Sequence, residues 1–344
     1  MKEDREACTE ALPPHLQLIQ MSTGYWVSRI VYAAAKLDLA DHLTEGPKSA
    51  AELAGATRTH VPSLHRLMRT LASLGLLTEN TDHRFALTPL GEALKTGAPG
   101  YGRSIVLALA GDARWRSWGE FLYCLETGET GIKKALGMTG WEYLEQHPQE
   151  MTYFQETMIG FHGHEPAAVA AAYDFSGFQT VVDIGGGTGN MLATILDHYP
   201  ATRGVLFDLP GVVREAPALI QSRGLTDRVT VEAGDFFTSV PTGGEAYLLS
   251  HVIHDWNDDQ CLTILGHCHR AMNPSGRLLI IEMVLPEGDV PHLGKVVDME
   301  MLVMAGGQER TELEYGTLLG KAGFRLARVV PTESAVGVVE AIPV

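Results

Sequence analysis

Residues 181–190 read Val-Val-Asp-Ile-Gly-Gly-Gly-Thr-Gly-Asn, an apolar run that meets an acid and then a glycine-rich turn. The apolar run has the composition of a buried parallel strand, and Asn190, with Leu192 and Ile195 behind it at helical spacing, predicts the start of a helix. Glycines in such a strand-to-helix turn reach positive φ and have no Cβ, so the backbone can approach a ligand closely. The amides of the helix N-terminus then face an anion or a polar group.

The position of the acid distinguishes two kinds of nucleotide site. A dinucleotide fingerprint has its acid about 20 residues after G-x-G-x-x-G. Here Asp183 instead comes two residues before Gly185-x-Gly187-x-Gly189. This arrangement resembles the D/E-x-G-x-G-x-G loop of the class I S-adenosylmethionine-dependent methyltransferases. The resemblance implies that Asp183 and the three glycines bind that cofactor.

Composition excludes several classes of partner. The 344 residues carry 26 Lys+Arg against 42 Asp+Glu, a net charge of -16 that disfavours nucleic acid and anionic membranes. No apolar stretch reaches the length of about 18 residues expected of a membrane span, and residues 1–14 are too charged for a signal peptide. We therefore expect a cytoplasmic protein. Its cysteines have no metal or disulfide spacing, so we expect core thiols at four positions: Cys8, Cys124, Cys261 and Cys268.

Residues 1–100 predict a small domain of three helices and a hairpin. Helical spacing covers residues 25–43, a capping box of Ser49 and Glu52 opens a second helix, and a third spans 64–74. Two short strands around residues 79–83 read as a hairpin, which completes a winged helix. The winged helix suits either a DNA-binding regulator or a dimerisation module. The scarcity of basic residues and the unpartnered apolar face of residues 25–43 favour a homodimer.

The remaining chain divides at a turn-rich segment, residues 97–102. We expect a helical linker over 101–175 that contributes to a substrate pocket, followed by a catalytic domain over 176–344. From residue 179 strand and helix alternate, which predicts an α/β fold with a doubly wound parallel sheet. The candidate strands are 181–184, 204–208, 229–233, 246–251, 277–283, 325–330 and 338–342.

In such sheets the ligand lies beyond the carboxyl ends of the strands. Asp208 ends the second strand, where a carboxylate can accept both hydroxyls of a ribose. Asp235 and Phe236 follow the third strand and offer an acid for an exocyclic amine and a ring to stack on adenine. Both acids also suit helix caps, but together with the glycine turn they predict an adenosine site.

The fourth strand runs into Ser-His-Val-Ile-His-Asp-Trp at residues 250–256, and Asn257 with Gln260 forms a capping box for the next helix. His254 therefore lies on the ligand side of the sheet, as either a structural or a catalytic histidine. In an extended segment His251 and His254 point to opposite faces, so we expect no metal site here.

These segments, with 207–210, 234–237 and Gly-Gly-Gln-Glu-Arg-Thr at 306–311, resemble the small-molecule O-methyltransferases. That family includes caffeate and acetylserotonin methyltransferases and bacterial enzymes of antibiotic biosynthesis. The resemblance spans essentially the whole chain, including the N-terminal domain, which forms an intertwined dimer in that family. It implies a class I methyltransferase fold with a Rossmann-like sheet and an N-terminal winged-helix dimerisation domain, S-adenosylmethionine as cofactor, and no metal.

Residue by residue, the resemblance implies that His254 is the general base and that Glu282 and Glu309 flank its imidazole. It adds cofactor contacts at Leu209, Phe236, Ser250 and Trp256. The expected acceptor pocket is broad, flat and apolar, and it consists of Trp115, Met158, Phe161, Asp298, Met301 and Met304. Two features depart from the family. Ser250 replaces the lysine of plant members, and residues 160–164 place His162 and His164 towards either the acceptor or solvent.

The implied reaction is methyl transfer to a hydroxyl of a small aromatic or polyketide-like metabolite. A phenol with a pKa near about 10 is mostly protonated at neutral pH, and a histidine can take its proton during attack. Two alternatives stay open: a cofactor-binding relative that has drifted to another reaction, which the presence of His254 and both glutamates argues against, and the DNA-binding regulator. The acceptor itself, and oxygen rather than nitrogen or carbon as the methylated atom, are not fixed by the sequence.

Overall fold

The computed structural model describes residues 12–344, which contacts divide into two compact units. Within these residues, the first unit runs to Asp112 and includes Pro148–Phe161, and the second consists of Ala113–His147 and His162–Val344. These units are defined by contacts within each unit, whereas the boundaries at residues 100 and 175 divide the chain by sequence features, and those boundaries stay predictions. Cys8 lies outside the described residues, whereas the other three cysteines are buried thiols.

The α-helices in chain order are α1 (Pro14–Lys36), α2 (Leu39–His42), α3 (Ala50–Thr57), α4 (Val61–Ser73), α5 (Pro89–Glu92), α6 (Gly102–Leu109), α7 (Asp112–Trp118), α8 (Phe121–Thr127), α9 (Gly131–Leu136), α10 (Gly140–Gln146), α11 (Pro148–His162), α12 (Glu165–Ala172), α13 (Asn190–His198), α14 (Ala216–Ser222), α15 (Asp258–Ala271), α16 (Gly294–Met304) and α17 (Glu312–Lys321). The strands are β1 (Leu77–Glu79), β2 (Phe85–Leu87), β3 (Thr180–Ile184), β4 (Arg203–Asp208), β5 (Val229–Ala233), β6 (Ala246–Ser250), β7 (Arg277–Glu282), β8 (Val284–Leu285), β9 (Arg310–Thr311), β10 (Phe324–Pro331) and β11 (Gly337–Pro343). Short 3-10 helices cover Val213–Glu215 and Ile253–Asp255. No helix within residues 12–344 combines the length and apolar character that a membrane crossing requires.

The first unit contains the predicted hairpin, in which β1 and β2 pair antiparallel. The capping box of Ser49 and Glu52 at the start of α3 is confirmed. The predicted helix over 25–43 is wrong in its bounds, because α1 begins at Pro14 and the left-handed φ of 52° at Asp38 separates it from α2. The core of this unit packs α3 and α4 against the hairpin through residues such as Leu53, Met68 and Phe85.

The first half of α1 carries large apolar side chains that the single chain leaves exposed. Their exposed fractions are Leu18 65%, Ile19 55%, Met21 76%, Tyr25 51% and Trp26 56%. A contiguous apolar face of this kind marks a surface for association with another protein. The expectation that the face of residues 25–43 is unpartnered is wrong for most of that segment, because Ile30, Ala34 and Leu43 pack into the core of this unit. The exposed apolar side chains lie mainly before it.

The second unit is built on a seven-stranded sheet in the order β10-β11-β7-β6-β3-β4-β5. Five neighbouring strands of this sheet are parallel, namely β7, β6, β3, β4 and β5. β11 pairs antiparallel with both β7 and β10. The chain adds β4 and β5 on one side of β3 and then β6 and β7 on the other. The strand order therefore reverses between β3 and β6, which is where open α/β sheets bind their ligands.

Helices cover both faces of this sheet, which explains why its central strands are apolar throughout. Val181 of β3 packs on one face with α12 and α13, and Val182 packs on the other face with α15 and α17. The linker region contains the short helices α7 and α8. Several of their large side chains are exposed: Trp115 45%, Trp118 37%, Leu122 73% and Leu125 56%.

Candidate active site

The glycine-rich turn after β3 adopts backbone conformations that favour glycine. Gly185, Gly187 and Gly189 have φ values of 69°, 61° and 88°. A Cβ on Gly186 would lie 2.5 Å from Oδ2 of Asp183, so no side chain fits there. At Gly187, by contrast, a Cβ would meet no atom within 4 Å. Gly187 therefore presents bare backbone to open space at the carboxyl end of β3.

Asp183 lies beneath this turn. Its side chain is fully buried, and neither carboxylate oxygen has a hydrogen-bond partner within the described part of the chain. Burial, and secondly the charge of Asp208, raise the pKa of Asp183 to about 7. The structure thus places Asp183 under the loop, and its expected contact with the cofactor stays a prediction.

Asp208 ties the end of β4 to the turn. Its Oδ2 accepts a hydrogen bond from Gly187 N at 2.8 Å, and its Oδ1 accepts one from Leu209 N at 2.7 Å. Burial raises its pKa, although these two backbone bonds oppose the shift. Asp208 therefore bridges two neighbouring strand ends, and the structure shows it holding loop backbone where the sequence also allowed a helix cap. Leu209, beside it, is half-exposed at 50%.

Aromatic side chains gather at the end of β5. Asp235 is exposed and accepts a hydrogen bond from Phe237 N at 2.8 Å, which fixes the turn after the strand. The ring of Phe237 lies 5.0 Å from that of Phe236 and 4.8 Å from that of Trp256, edge to face in both pairs. Trp256 thus joins the segment after β6 to the turn after β5, two elements that lie on opposite sides of β3.

The segment after β6 turns instead of continuing extended. The strand ends at Ser250, His251 takes a left-handed φ of 52°, and Ile253–Asp255 forms a 3-10 turn. The expectation that His251 and His254 point to opposite faces is therefore wrong, because the turn brings their ring centroids to 5.4 Å. A Cβ on Gly307 would lie 2.0 Å from His254 O, so that glycine allows the turn to pack closely.

Glu309 fixes the ring of His254. The Nδ1 of His254 donates to Oε1 of Glu309 at 2.8 Å, and the glutamate side chain is only 1% exposed. Burial alone would lower the pKa of His254, but the hydrogen bond to Glu309 and the charges of Asp255 and Glu282 raise it to about 10. With Nδ1 committed to Glu309, Nε2 is the nitrogen that can exchange a proton with another group.

Glu282 acts on the same turn in a different way. Its Oε1 accepts a hydrogen bond from the backbone N of His254 at 3.0 Å, and Tyr315 donates its hydroxyl to Oε2. The negative charge of Glu282 also contributes to the raised pKa of the His254 imidazole. The expected place of Glu282 beside that imidazole stays a prediction.

Comparisons with known proteins show the family to which this chain belongs. The family model of the O-methyltransferase domain matches residues 118–325 of the sequence, and the family model of the O-methyltransferase dimerisation domain matches residues 19–97. A phenazine O-methyltransferase from Lysobacter antibioticus, PhzM, is 43% identical over 97% of this chain and 98% of its own. The chain belongs to the O-methyltransferase family. The match over residues 19–97 also supports the dimerisation module over the DNA-binding regulator.

Two further relatives show the range of this family. A phenazine-1-carboxylate N-methyltransferase from Pseudomonas aeruginosa is 32% identical over 91% of this chain and 92% of its own. The O-methyltransferase NcsB1 of neocarzinostatin biosynthesis was solved with S-adenosylmethionine and 2-hydroxy-5-methyl naphthoic acid. It is 32% identical, has a TM-score of 0.81, and covers 92% of this chain and 96% of its own. The chain is accordingly an S-adenosylmethionine-dependent methyltransferase.

The residues predicted for the acceptor pocket of the methyltransferase fall in both units. Met158 and Phe161 lie on α11 in the first unit, and Trp115 lies on α7 in the second. Met301 and Met304 lie half-buried on α16. Asp298, from the same helix, accepts a hydrogen bond from Glu309 N at 2.9 Å, so it holds the segment that carries Glu309.

Two buried charged residues that sequence reasoning missed support this methyltransferase site. Arg310, 1% exposed, donates to the carbonyls of Ile253 and Trp256 and to Asp258, and so clamps the turn of His254. Its position directly after Glu309, within the motif at residues 306–311, could have indicated that it supports the site. Glu165 is 4% exposed and accepts hydrogen bonds from two histidines. One of these histidines is 86 residues away in the sequence, so the spacing of residues could not predict the contact.

Proposed function

We propose that this methyltransferase transfers a methyl group from S-adenosylmethionine to a phenolic hydroxyl of a small aromatic metabolite, with His254 as the general base. The observation that carries the proposal is the buried hydrogen bond of 2.8 Å between His254 Nδ1 and Glu309. That bond orients the ring, and in the neutral form of the ring it leaves Nε2 as the nitrogen that receives the hydroxyl proton.

The electrostatics of His254 suit a phenol. Burial opposes the charged ring, but the hydrogen bond to Glu309 and the charges of Asp255 and Glu282 outweigh it and raise the pKa of His254 to about 10. This shift is towards the ordinary pKa of a phenol, about 10. Proton transfer from the hydroxyl to the neutral ring is therefore less unfavourable than transfer to a histidine with the ordinary pKa of about 6.5. The carboxylates around His254 therefore supply the basicity that a phenol demands.

The residues present fit the cofactor. The open space over Gly187, the carboxylate of Asp208 beside it and the Phe236, Phe237 and Trp256 rings offer bare backbone, a ribose acceptor and aromatic surface at adjoining strand ends. When bound, S-adenosylmethionine supplies the methyl group on a sulfonium. The chain's own residues position the hydroxyl and take its proton, and positioning contributes more than the base, roughly 7 to 11 against 3 to 5 kcal/mol.

The presence of a base, His254, also favours oxygen over nitrogen as the methylated atom. A ring nitrogen without a hydrogen needs no proton removed, so a buried histidine–glutamate pair would serve no purpose in its methylation. A hydroxyl does lose a proton. The second candidate, N-methylation, is supported by the relative from P. aeruginosa and is separable by experiment.

The test is a screen with labelled S-adenosylmethionine against matched aromatic acceptors that carry a free hydroxyl, a methylated hydroxyl or only a ring nitrogen. We expect label only in the first group, and a fall in turnover of about 10² to 10⁴-fold in His254→Ala. His198→Ala is the matched control, because His198 is an exposed histidine at the end of α13. Label on the ring-nitrogen acceptors at wild-type rate in His254→Ala would refute the proposal.

A further inference from the structure

A second cluster of histidines and a carboxylate lies beside the site but takes no part in the proposed reaction. Glu165 Oε2 accepts hydrogen bonds from His162 Nδ1 at 3.0 Å and from His251 Nε2 at 2.7 Å. All three residues belong to the second unit. The two imidazole rings pack against each other with centroids 3.8 Å apart. Three different segments, the end of α11, the start of α12 and the residue after β6, thus direct one donor atom each to a common point.

The cluster is buried and has a negative charge to neutralise. The side chain of Glu165 is 5% exposed, and those of His162 and His251 are 22% and 16% exposed. Across residues 12–344, no lysine or arginine forms an ion pair with Glu165; its partners are the two histidines. A buried carboxylate is costly unless a cation or several hydrogen bonds compensate it. A cation at the common point would supply that compensation directly.

The donor set is one that transition metals bind. Two imidazole nitrogens and one carboxylate oxygen suit zinc, iron or nickel, with further positions open to water. The three donor atoms lie within 4.8 Å of one another. Ligands about 2.1 Å from a zinc ion stand about 3.0 to 3.4 Å apart, so the two hydrogen-bonded separations would widen by a few tenths of an ångström. The two histidine nitrogens, which lie within 4.8 Å of each other, would approach by at most about 1.8 Å.

Proton placement also allows metal binding. A histidine nitrogen that binds a metal must give up its hydrogen, which the other ring nitrogen then carries. In the metal-bound form the hydrogen of His251 would lie on Nδ1, which is buried and has no hydrogen-bond partner in the described part of the chain, and that of His162 on Nε2. The hydrogen-bonded triad and the metal-bound triad therefore differ in the tautomers of both imidazoles and in a movement of side chains.

We infer that His162, Glu165 and His251 form a binding site for a divalent transition-metal ion such as zinc. The ion would tie the start of α12 to the segment after β6, in which the His251 ring lies 5.4 Å from that of His254. The proposed methyl transfer does not require it. The site therefore has a structural role next to the base, and its existence is independent of the acceptor.

The full-length protein, stripped of metal with a chelator, is titrated with Co²⁺ and followed by visible absorption, and with Zn²⁺ followed by calorimetry. We expect one equivalent per chain and no sulfur-to-cobalt charge-transfer band, because the site contains no thiolate. Glu165→Gln and His162→Asn should weaken binding by more than about 100-fold, since loss of an outer hydrogen-bond partner alone costs about 10- to 100-fold. His164→Ala is the matched control, because His164 is exposed in the same segment.

Thermal unfolding gives a second readout, because a metal that binds only the folded protein raises the Tm. Zn²⁺ should raise the Tm of wild type and His164→Ala but not of Glu165→Gln. A wild-type protein that binds no Co²⁺ would overturn the inference, and the triad would then be hydrogen-bonded only. Equal binding by all the variants would also overturn it, since the ion would then lie elsewhere. Neither measurement uses methyl transfer, so failure here is distinguishable from failure of the proposed function.

Discussion

The contact between His254 and Glu309 makes a quantitative prediction about pH dependence. Glu309→Gln keeps an oxygen that can accept from His254 Nδ1 but removes the negative charge. A hydrogen bond to a charged group contributes about 1.5 to 3 kcal/mol, and 1.36 kcal/mol corresponds to one pKa unit. We therefore expect the pKa of His254 to fall by about 1 to 2 units, from about 10 to about 8 or 9.

The sign of the effect on turnover follows from the protonation state. With its pKa raised to about 10, His254 carries a proton at pH 7, and the base form grows roughly tenfold per pH unit until the pKa is reached. In Glu309→Gln the base form appears at lower pH. The rising limb of the profile should therefore move about 1 to 2 units towards acid, although the variant's imidazole is a weaker base and its plateau is lower.

The assay measures kcat from pH 6 to 9 with labelled S-adenosylmethionine at saturation. The acceptor should be a phenol with a pKa of at least about 10, which stays mostly protonated across this range, so that the limb reports on the enzyme. Glu312→Gln is the matched control, because it removes an exposed carboxylate at the start of α17, near Glu309 in sequence. A Glu309→Gln limb that coincides with wild type, or that moves towards alkali, would refute the assignment of the base.

Three further predictions concern the cofactor, stability and assembly. Asp208→Ala should weaken the binding of S-adenosylmethionine and of S-adenosylhomocysteine by the same amount, about 1.5 to 3 kcal/mol in calorimetry. Asp197→Ala, at an exposed aspartate, is the control, and an unchanged affinity of Asp208→Ala would show that Asp208 is not part of the site. A carboxyl whose pKa rises on folding stabilises the protein at acidic pH and loses that contribution as pH rises through the folded value, here about 7 for Asp183. The free energy of unfolding of the cofactor-free protein should fall as the pH rises from about 4 to about 7, and Asp183→Asn should reduce this slope; an equally steep fall in the variant would contradict it. Light scattering should give wild type a molar mass of about twice 37.3 kDa, whereas the double variant Ile19→Glu/Trp26→Glu should have the mass of a monomer. Leu313→Glu, which changes an exposed leucine elsewhere, is the control, and a monomeric wild type would exclude the dimer.

Local sequence was sufficient for the features that depend on neighbours along the chain. The capping boxes at Ser49 and Asn257 follow from a hydroxyl or amide three residues before a glutamate or glutamine, and both are present. The strand-to-helix turn at Gly185–Gly189 follows from backbone conformations that favour glycine. The alternation of strand and helix from residue 179 likewise predicted a sheet whose parallel strands end at one edge.

Contacts between distant segments could not be read in the same way. The sequence placed His251 and His254 on opposite faces because it could not show the left-handed residue that turns the chain after β6. It also missed that Glu165, 86 residues before His251, would accept a hydrogen bond from it. Periodicity describes which face a residue occupies within one element, whereas these contacts depend on how elements meet.

What the sequence by itself determined is therefore the frame: the order of strands and helices, the glycine turn, and the acids and the histidine at the strand ends. Tertiary structure alone decided the electrostatics of that frame. It buried the Asp183 carboxylate with no hydrogen-bond partner among residues 12–344, placed Glu282 against the backbone of His254, and paired the His254 ring with Glu309. The physical reason is that desolvation and hydrogen-bond geometry, which set pKa values, depend on distances of a few ångströms between residues far apart in the chain.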